Sequence, residues 1–289
     1  MSVQSGSAGQ AGTISAALAG APVTPPALPA KPDTSRRRPA TLIIAGIAIA
    51  LLVYAWIDTN ASVSQFFSAF FGQKGLIRSV LPEAVPPKAN QFWPGFQAAA
   101  TTFAIAWLSI AFGILGSLLM LPLAARNITP SRPLYELARV IQAILRAIPE
   151  LIMLLLFNVV LGFSPFAAVL ALTFHGIGVK GKLYAEAVEE MDTSAVDALR
   201  VAGAGRIQVF LHAVLPGVRN TLTGLTLYRL DANFRSAVTL GAVGGGGIGF
   251  LIDNQLNIFD FKAVTSYIIV LVVVVLIVER ASTELRKRL

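Results

Sequence analysis

The sequence contains no cysteine. That absence excludes disulfide staples, a thiol nucleophile and any thiolate metal site. Histidine is almost as scarce. His175 and His212 are too few and too far apart to suggest a metal centre, so no metal ligands are assigned. Charge is sparse too. Of 289 residues 13% are charged and 55% hydrophobic, and the mean hydropathy is +0.70. A soluble domain of this size needs more charge to cover its surface. No G-x-x-x-x-G-K-[ST] pattern occurs, so the chain carries no phosphate-binding loop for ATP.

What the chain has is long apolar runs. About 20 mostly apolar residues cross the roughly 30 Å of bilayer hydrocarbon as a helix. Runs near 41–57, 97–123, 166–179, 216–240 and 263–278, with a further one ending near 161, predict an all-α membrane protein of about six transmembrane helices. The net charge of +8 sits in clusters between the runs, as in cytoplasmic loops, and not in a nucleic-acid-binding patch. Lipid is therefore an expected partner and nucleic acid is not.

Residues 1–40 are rich in Ala, Gly, Pro and Ser and read as a disordered cytoplasmic tail ending in Arg36, Arg37 and Arg38. No small-residue cleavage site follows Trp56, so 41–57 reads as an uncleaved first span, with a twin-arginine export signal as the alternative. Residues 58–95, with Pro82, Pro86, Pro87 and Pro94, read as an external loop holding one short amphipathic helix near Val63–Phe71. A helix over 134–146 is broken by Pro149. Gly162 to Pro165 is a tight turn, residues 180–215 are amphipathic and not spanning, and 241–250 is a glycine-rich loop. Trp56 and Trp93 sit at span ends as interfacial anchors, and Trp107 lies mid-span. The segments placed inside carry most of the Lys and Arg. Those placed outside carry Lys74, Arg78, Lys88 and Lys262. The positive-inside rule then puts both termini in the cytoplasm.

The segment 192–216 is the most informative. Ser194 followed by Asp197 has N-cap spacing, Val196, Leu199 and Ala202 share one helical face, and Gly203 suits a left-handed stop. A second short helix, about Arg206 to Val214, is expected to end at Pro216. Two short helices at the surface form either a knob that a soluble partner can grip or an amphipathic loop resting on headgroups.

Here the sequence resembles the permeases of ATP-binding-cassette importers. Their loop has the form E-A-A, three residues, G, nine residues, I-x-L-P. This chain has Asp197-Ala198-Leu199, three residues, Gly203, nine residues, then Ala213-Val214-Leu215-Pro216, with Asp, Leu and Ala in place of Glu, the second Ala and Ile. The stretches His175 to Glu190, Tyr228 to Ala237 and Gly241 to Gly249 look like the permease subunit of the phosphonate importer. The resemblance covers roughly residues 95–289 and implies the type I importer fold, with a permease core over 96–289. It implies that Asp197, Ala198, Gly203, Arg206, Leu215 and Pro216 form the coupling helix region that docks on an ATPase subunit. It also implies a homodimer in the cell membrane, two cytoplasmic ATPase subunits that hold ATP and magnesium, and an extracytoplasmic phosphonate-binding protein. The chain itself is expected to bind no cofactor and to have no catalytic residues.

Arg229, Asp231 and Arg235 fall inside the fifth run. A charge near the bilayer centre costs at least about 2.5–3.5 kcal/mol. Asp231 and Arg235 are spaced to pair on one helix face. Arg229 is left over, and an arginine fork suits an oxyanion. These residues either line the path, with His175 as a further candidate, or form a structural pair at an interface. Gly244, Gly245, Gly246, Gly247 and Gly249 formally match G-x-G-x-x-G, but no βαβ unit surrounds them. They are candidates for an outer gate or a tight packing turn. Glu150 either caps the helix after Pro149 or lines the cavity.

Three rival readings stand beside this one. A permease for phosphite or phosphate fits the same residues. An ion-coupled secondary transporter would show internal repeats and midplane carboxylates, and it leaves the coupling segment without a purpose. A membrane-embedded enzyme would need a nucleophile or metal set that the chain does not assemble.

Overall fold

The computed structural model describes residues 37–59, 62–73 and 75–288, and the regular elements among them are helical. Most of the expected tail, through residue 36, and the external Lys74 lie outside the described residues. The contacts divide the chain into a unit ending at Gln65 and a second from Phe66 to Leu289.

In the first unit, α1 (Arg37–Asp58) covers the expected first span. Its apolar side chains from Leu42 to Ile57 are exposed, which suits lipid. Helix α2 (Val63–Phe71) crosses the division. It is the short helix expected there, and the ring of Phe66 meets those of Phe67 and Phe70 while Phe67 meets Phe71.

The second unit is a helical bundle. The stretch expected as a loop before the second span contains a wide turn over Leu76–Val80, α3 (Leu81–Ala84) and a 3-10 turn over Ala89–Gln91. Helix α4 (Phe92–Ala124) begins at Phe92, ahead of the expected 97. Pro94 does not prevent this, because the first turn of a helix has no use for its N–H. Helices α5 (Arg132–Ala147) and α6 (Glu150–Leu161) meet at an 86° bend beside Pro149, the predicted break. Gly162, at φ +73°, makes the predicted turn, and the Ser164 hydroxyl accepts from the Ala167 N–H to start α7 (Pro165–Glu189).

Helix α7 corrects the expected end of the fourth span near 179. It continues ten residues further because its first charge, Lys180, is not in a loop but fully buried. The Lys180 ammonium donates to the Ile110 carbonyl of α4 at 3.2 Å. It lies where a Cβ on Gly113 would stand, 2.2 Å from the amine. α4 and α7 make the broadest helix contact of the bundle. Small residues let backbones approach closely where lipid supplies no hydrophobic drive.

Helix α8 (Ser194–Val201) and α9 (Arg206–Val209) follow. Pro216 does not end the second short helix as expected. The Leu215 N–H reaches back to the Phe210 carbonyl in a π turn over Phe210–Val214, and the helix runs on as α10 (Leu215–Leu240). The register change directly precedes the residue that has no N–H to donate. After α10 the chain makes a glycine turn at Gly241–Gly245, bends by 53°, and forms α11 (Gly247–Asn257) and α12 (Phe261–Lys287). Among the described residues four helices are long and apolar enough to cross a membrane, or up to six if each bent pair counts as one.

Candidate coupling surface and translocation path

The coupling candidates lie on α8, on the turn after it, at the start of α9 and at the start of α10. Gly203 stands at φ +83°, as its place after the helix predicts. Its N–H donates to the Arg200 carbonyl and that of Ala204 to the Leu199 carbonyl, both at 3.0 Å, the paired closure of a left-handed helix stop. The start differs from expectation. Ser194 is not the cap. Its N–H and hydroxyl both donate to Asp192 Oδ1, at 3.0 and 2.6 Å. Those bonds hold the exposed Asp192 carboxyl below the usual carboxylate range. Val196 is buried and Leu199 packs on the same cluster, but Ala202, expected on that face, is exposed. Asp197 and Ala198 face outward, and Val201 and Ile207 are 90% and 76% exposed. Arg206 is exposed beside them, while Leu215 and Pro216 sit one helix away at the base.

The path candidates separate into two groups. Asp231 pairs with Arg235, as their spacing predicts, and that arginine is 63% exposed beside Leu271 and Val275 of α12. Arg229 points elsewhere, into electrostatic reach of Glu150 at the start of α6 and of Lys180. His175 lies within α7 and not at its end. Its Nδ1 donates to the Ile148 carbonyl at 3.3 Å, and its Nε2 stands 3.8 Å from Glu150. Glu150, His175, Lys180 and Arg229 therefore gather where the α5–α6 bend faces α7 and α10. Arg229 Nε is buried with no hydrogen-bond partner. Such a group can face an anion, and no proton chemistry is needed for that.

Two buried polar contacts escaped the sequence reading. The Asn233 amide donates to Ser109 Oγ at 3.0 Å, joining α10 to α4, and the Thr102 hydroxyl accepts from the Ile248 N–H at 2.9 Å. Neither residue stands out in sequence, since each is an ordinary polar residue within an apolar run.

The expected loop over 241–250 is a packed turn that leads into α11. Gly244, Gly246 and Gly247 have φ of +97°, +77° and +75°. A Cβ on Gly247 would lie 2.2 Å from Thr102 Oγ1, and one on Gly249 would lie 1.9 Å from the Val238 carbonyl oxygen. Gly245 is buried, and the Asn158 amide of α6 reaches the Val243 carbonyl at 3.5 Å. Among the described residues no cluster of His, Asp or Glu suits a metal ion.

A family model described as a binding-protein-dependent transport system inner membrane component matches residues 113–289, the part of the chain that holds this site. The chain belongs to that family. The permease is 37% identical to a phosphite transport system permease protein of Stutzerimonas stutzeri, over 73% of this chain and 77% of that one. It is 35% identical to a phosphate-import permease protein of Mycolicibacterium smegmatis, over 90% of this chain and 48% of that longer one. Among solved structures, it resembles an inward-facing methionine ABC transporter with a TM-score of 0.59 at 23% identity, covering 70% of this chain and 98% of that one. An alginate ABC transporter gives a TM-score of 0.56 at 18% identity, over 86% and 99% of the two chains. Those likenesses show the fold of an importer permease. The permease is thus an inner membrane component of a binding-protein-dependent transport system.

Proposed function

We propose that this permease carries phosphonate, or a closely related phosphorus oxyanion, into the cytoplasm by alternating access. The support for the substrate class is that the relatives are named for phosphite and phosphate, while the flanking stretches resemble the phosphonate permease. Phosphite and phosphate form the second reading, which the relatives' names favour directly.

Energy comes from a separate ATPase subunit that holds ATP and magnesium, and this reading is supported by the lack of a G-x-x-x-x-G-K-[ST] pattern in this sequence. Two such subunits serve a homodimer of permeases. The knob formed by Asp197, Ala198, Gly203 and Arg206, with Leu215 and Pro216 at its base, is the docking surface. Its support is the outward display of Val201 and Ile207, large apolar side chains that a protein cleft would cover. An extracytoplasmic binding protein delivers the anion at the glycine-turn end, where Gly244 to Gly247 and Gly249 shape the outer gate. Both termini lie in the cytoplasm, residues 1–40 form the tail there, and 58–95 face outward.

Arg229 is the path residue in this reading, with His175 and Glu150 beside it. Asp231 and Arg235 balance each other on an outer face. The experiment is uptake of labelled methylphosphonate by cells lacking this gene, with the gene restored and with phosphite and phosphate as competitors. Restored uptake that phosphate barely inhibits supports phosphonate. Restoration of phosphite or phosphate uptake alone selects the second reading, and restoration of none of the three removes the substrate class.

A further inference from the structure

Between α4 and α5 the chain runs through a short loop, and this loop is where the coupling segment meets the bundle. The Arg200 guanidinium of α8 donates to the Asn127 carbonyl at 3.0 Å. The Asn127 side-chain amide donates to the Val188 carbonyl, in the last turn of α7, at 2.7 Å. One residue later, Glu189 Oε1 accepts two bonds of 2.8 Å each, from the Arg126 N–H and from the Arg139 guanidinium of α5. Arg139 is held from its other side by Tyr135, whose ring centroid lies 5.3 Å away. Ala125, Val188, Val196 and Ala138 are buried in one apolar cluster around this point.

A salt bridge alone would need just the Arg139–Glu189 contact. The second bond to the Arg126 N–H makes the carboxylate a junction of three segments: the loop after α4, the middle of α5 and the end of α7. Hydrogen bonds to an ionised acceptor are short and directional, so a loop that moves takes its partners with it or breaks from them. We propose that Glu189 is the junction that carries displacement of the coupling helix to α4, α5 and α7 together, with Asn127 as the relay from Arg200. It is a positioning residue, since it lies about 13 Å along α7 from Lys180 of the Arg229 cluster. The proposal rests on the reading that α8 docks on the ATPase subunit.

The test uses the complete importer in proteoliposomes, with its ATPase subunit and binding protein. The readout is substrate moved per ATP hydrolysed. Glu189→Gln keeps an oxygen acceptor for both donors and is expected to keep the wild-type ratio within about twofold, whereas Glu189→Ala is expected to lower it about tenfold. The paired exchange Arg139→Glu with Glu189→Arg restores the ion pair but offers the Arg126 N–H no acceptor. Its expected result is an intact complex that hydrolyses ATP and transports poorly. Normal coupling in that exchange overturns the junction and leaves an ordinary salt bridge. If Glu189→Ala fails to accumulate, the Gln variant and the exchange decide the matter between them. Because the chain has no cysteine, Ala198→Cys supplies a unique crosslinking site for the docking reading itself. Absence of a crosslink to the ATPase subunit in the otherwise unaltered permease sinks that reading. A crosslink together with normal coupling in the exchange sinks the junction alone.

Discussion

The two ends of the bundle are held by opposite means. At the coupling end, side chains cross between segments: Arg200 to Asn127, Asn127 to Val188, Arg139 to Glu189. At the glycine-turn end, backbone lies against its neighbours with no room for a Cβ, as at Gly241, Gly247 and Gly249. A side-chain bond can lengthen, rotate and re-form. A glycine contact is either closed or parted. The first arrangement suits an end that transmits graded motion, and the second suits an end with two discrete positions.

The contrast predicts that size is punished most at the glycine-turn end. Gly249→Leu would set a Cβ 1.9 Å from the Val238 carbonyl oxygen, a backbone atom that no rotamer change can move. Such overpacking should cost about 3 kcal/mol, the upper end of the usual range, because the clash is with backbone. The expected outcome is loss of the folded permease, read as disappearance of the monodisperse peak in detergent. An unaltered peak and melting temperature would mean that this turn is open and not packed.

At the coupling end, conformation matters more than size. Gly203 has nothing within 4 Å of its Cβ position, so its constraint is the positive φ alone. Asn tolerates that region, and Gly203→Asn should change stability by less than about 1 kcal/mol. Proline is fixed near φ −65° and cannot adopt it. Gly203→Pro should therefore still insert in the membrane but lose uptake while the ATPase subunit continues to hydrolyse. Equal uptake by the two variants would remove the turn from the coupling machinery.

Between the ends, two arginines on one helix make a sharper version of the same comparison. Arg229 faces Glu150 and Lys180, while Arg235 is exposed and neutralised by Asp231. Arg229→Gln is expected to lower uptake about tenfold, equal to about 1.4 kcal/mol in the barrier. The double change Asp231→Asn with Arg235→Gln removes both charges of a balanced pair at once and should leave uptake within about twofold, since neither partner is left as an unpaired charge. The reverse ranking would move the path to the outer face of α10.

Run length and proline and glycine placement made most of the helices legible, because bilayer thickness and backbone chemistry constrain them locally. The bend at Pro149, the turn at Gly162 and the left-handed stop at Gly203 were all readable for that reason. Lys180 was not. A hydropathy reading ends a span at its first charge, and the amine is sheltered here by a glycine on another helix. Its nearest signal was Gly178 and Gly181 on either side of it, two glycines that let α7 pack closely on α5. Glu189 was invisible for a different reason. Its partners Arg126 and Arg139 come from 63 and 50 residues away, and no local pattern records them. The glycine cluster was legible as either a gate or a packing turn, and the sequence did not choose between them, since a flexible loop and a tight contact select the same residue.

The smallest expected effect lies at the glycine-turn end, where one polar clip breaks the contrast between the two ends. Lys88 pairs with Asp260, which also caps α12 by accepting from the Ala263 N–H, and the Lys88 carbonyl accepts from Ser266. The Lys88 ammonium, with help from the cap, holds the Asp260 carboxyl below its ordinary range. A carboxylate with a depressed folded pKa contributes stability that is present above its unfolded value, near 3.9, and is lost as the pH falls through the folded value. Lys88→Met removes the pair and keeps the cap, so it should lower the melting temperature at pH 7 by about 1–2 °C. The gap to wild type should close as the pH falls through the depressed folded value, where the carboxyl protonates in both proteins. Asp260→Asn retains a good cap and should show the same small deficit at pH 7, with the same closure. A gap that persists at low pH would mean that Lys88 acts through packing of its stem, and the contrast between the two ends would then hold without this exception.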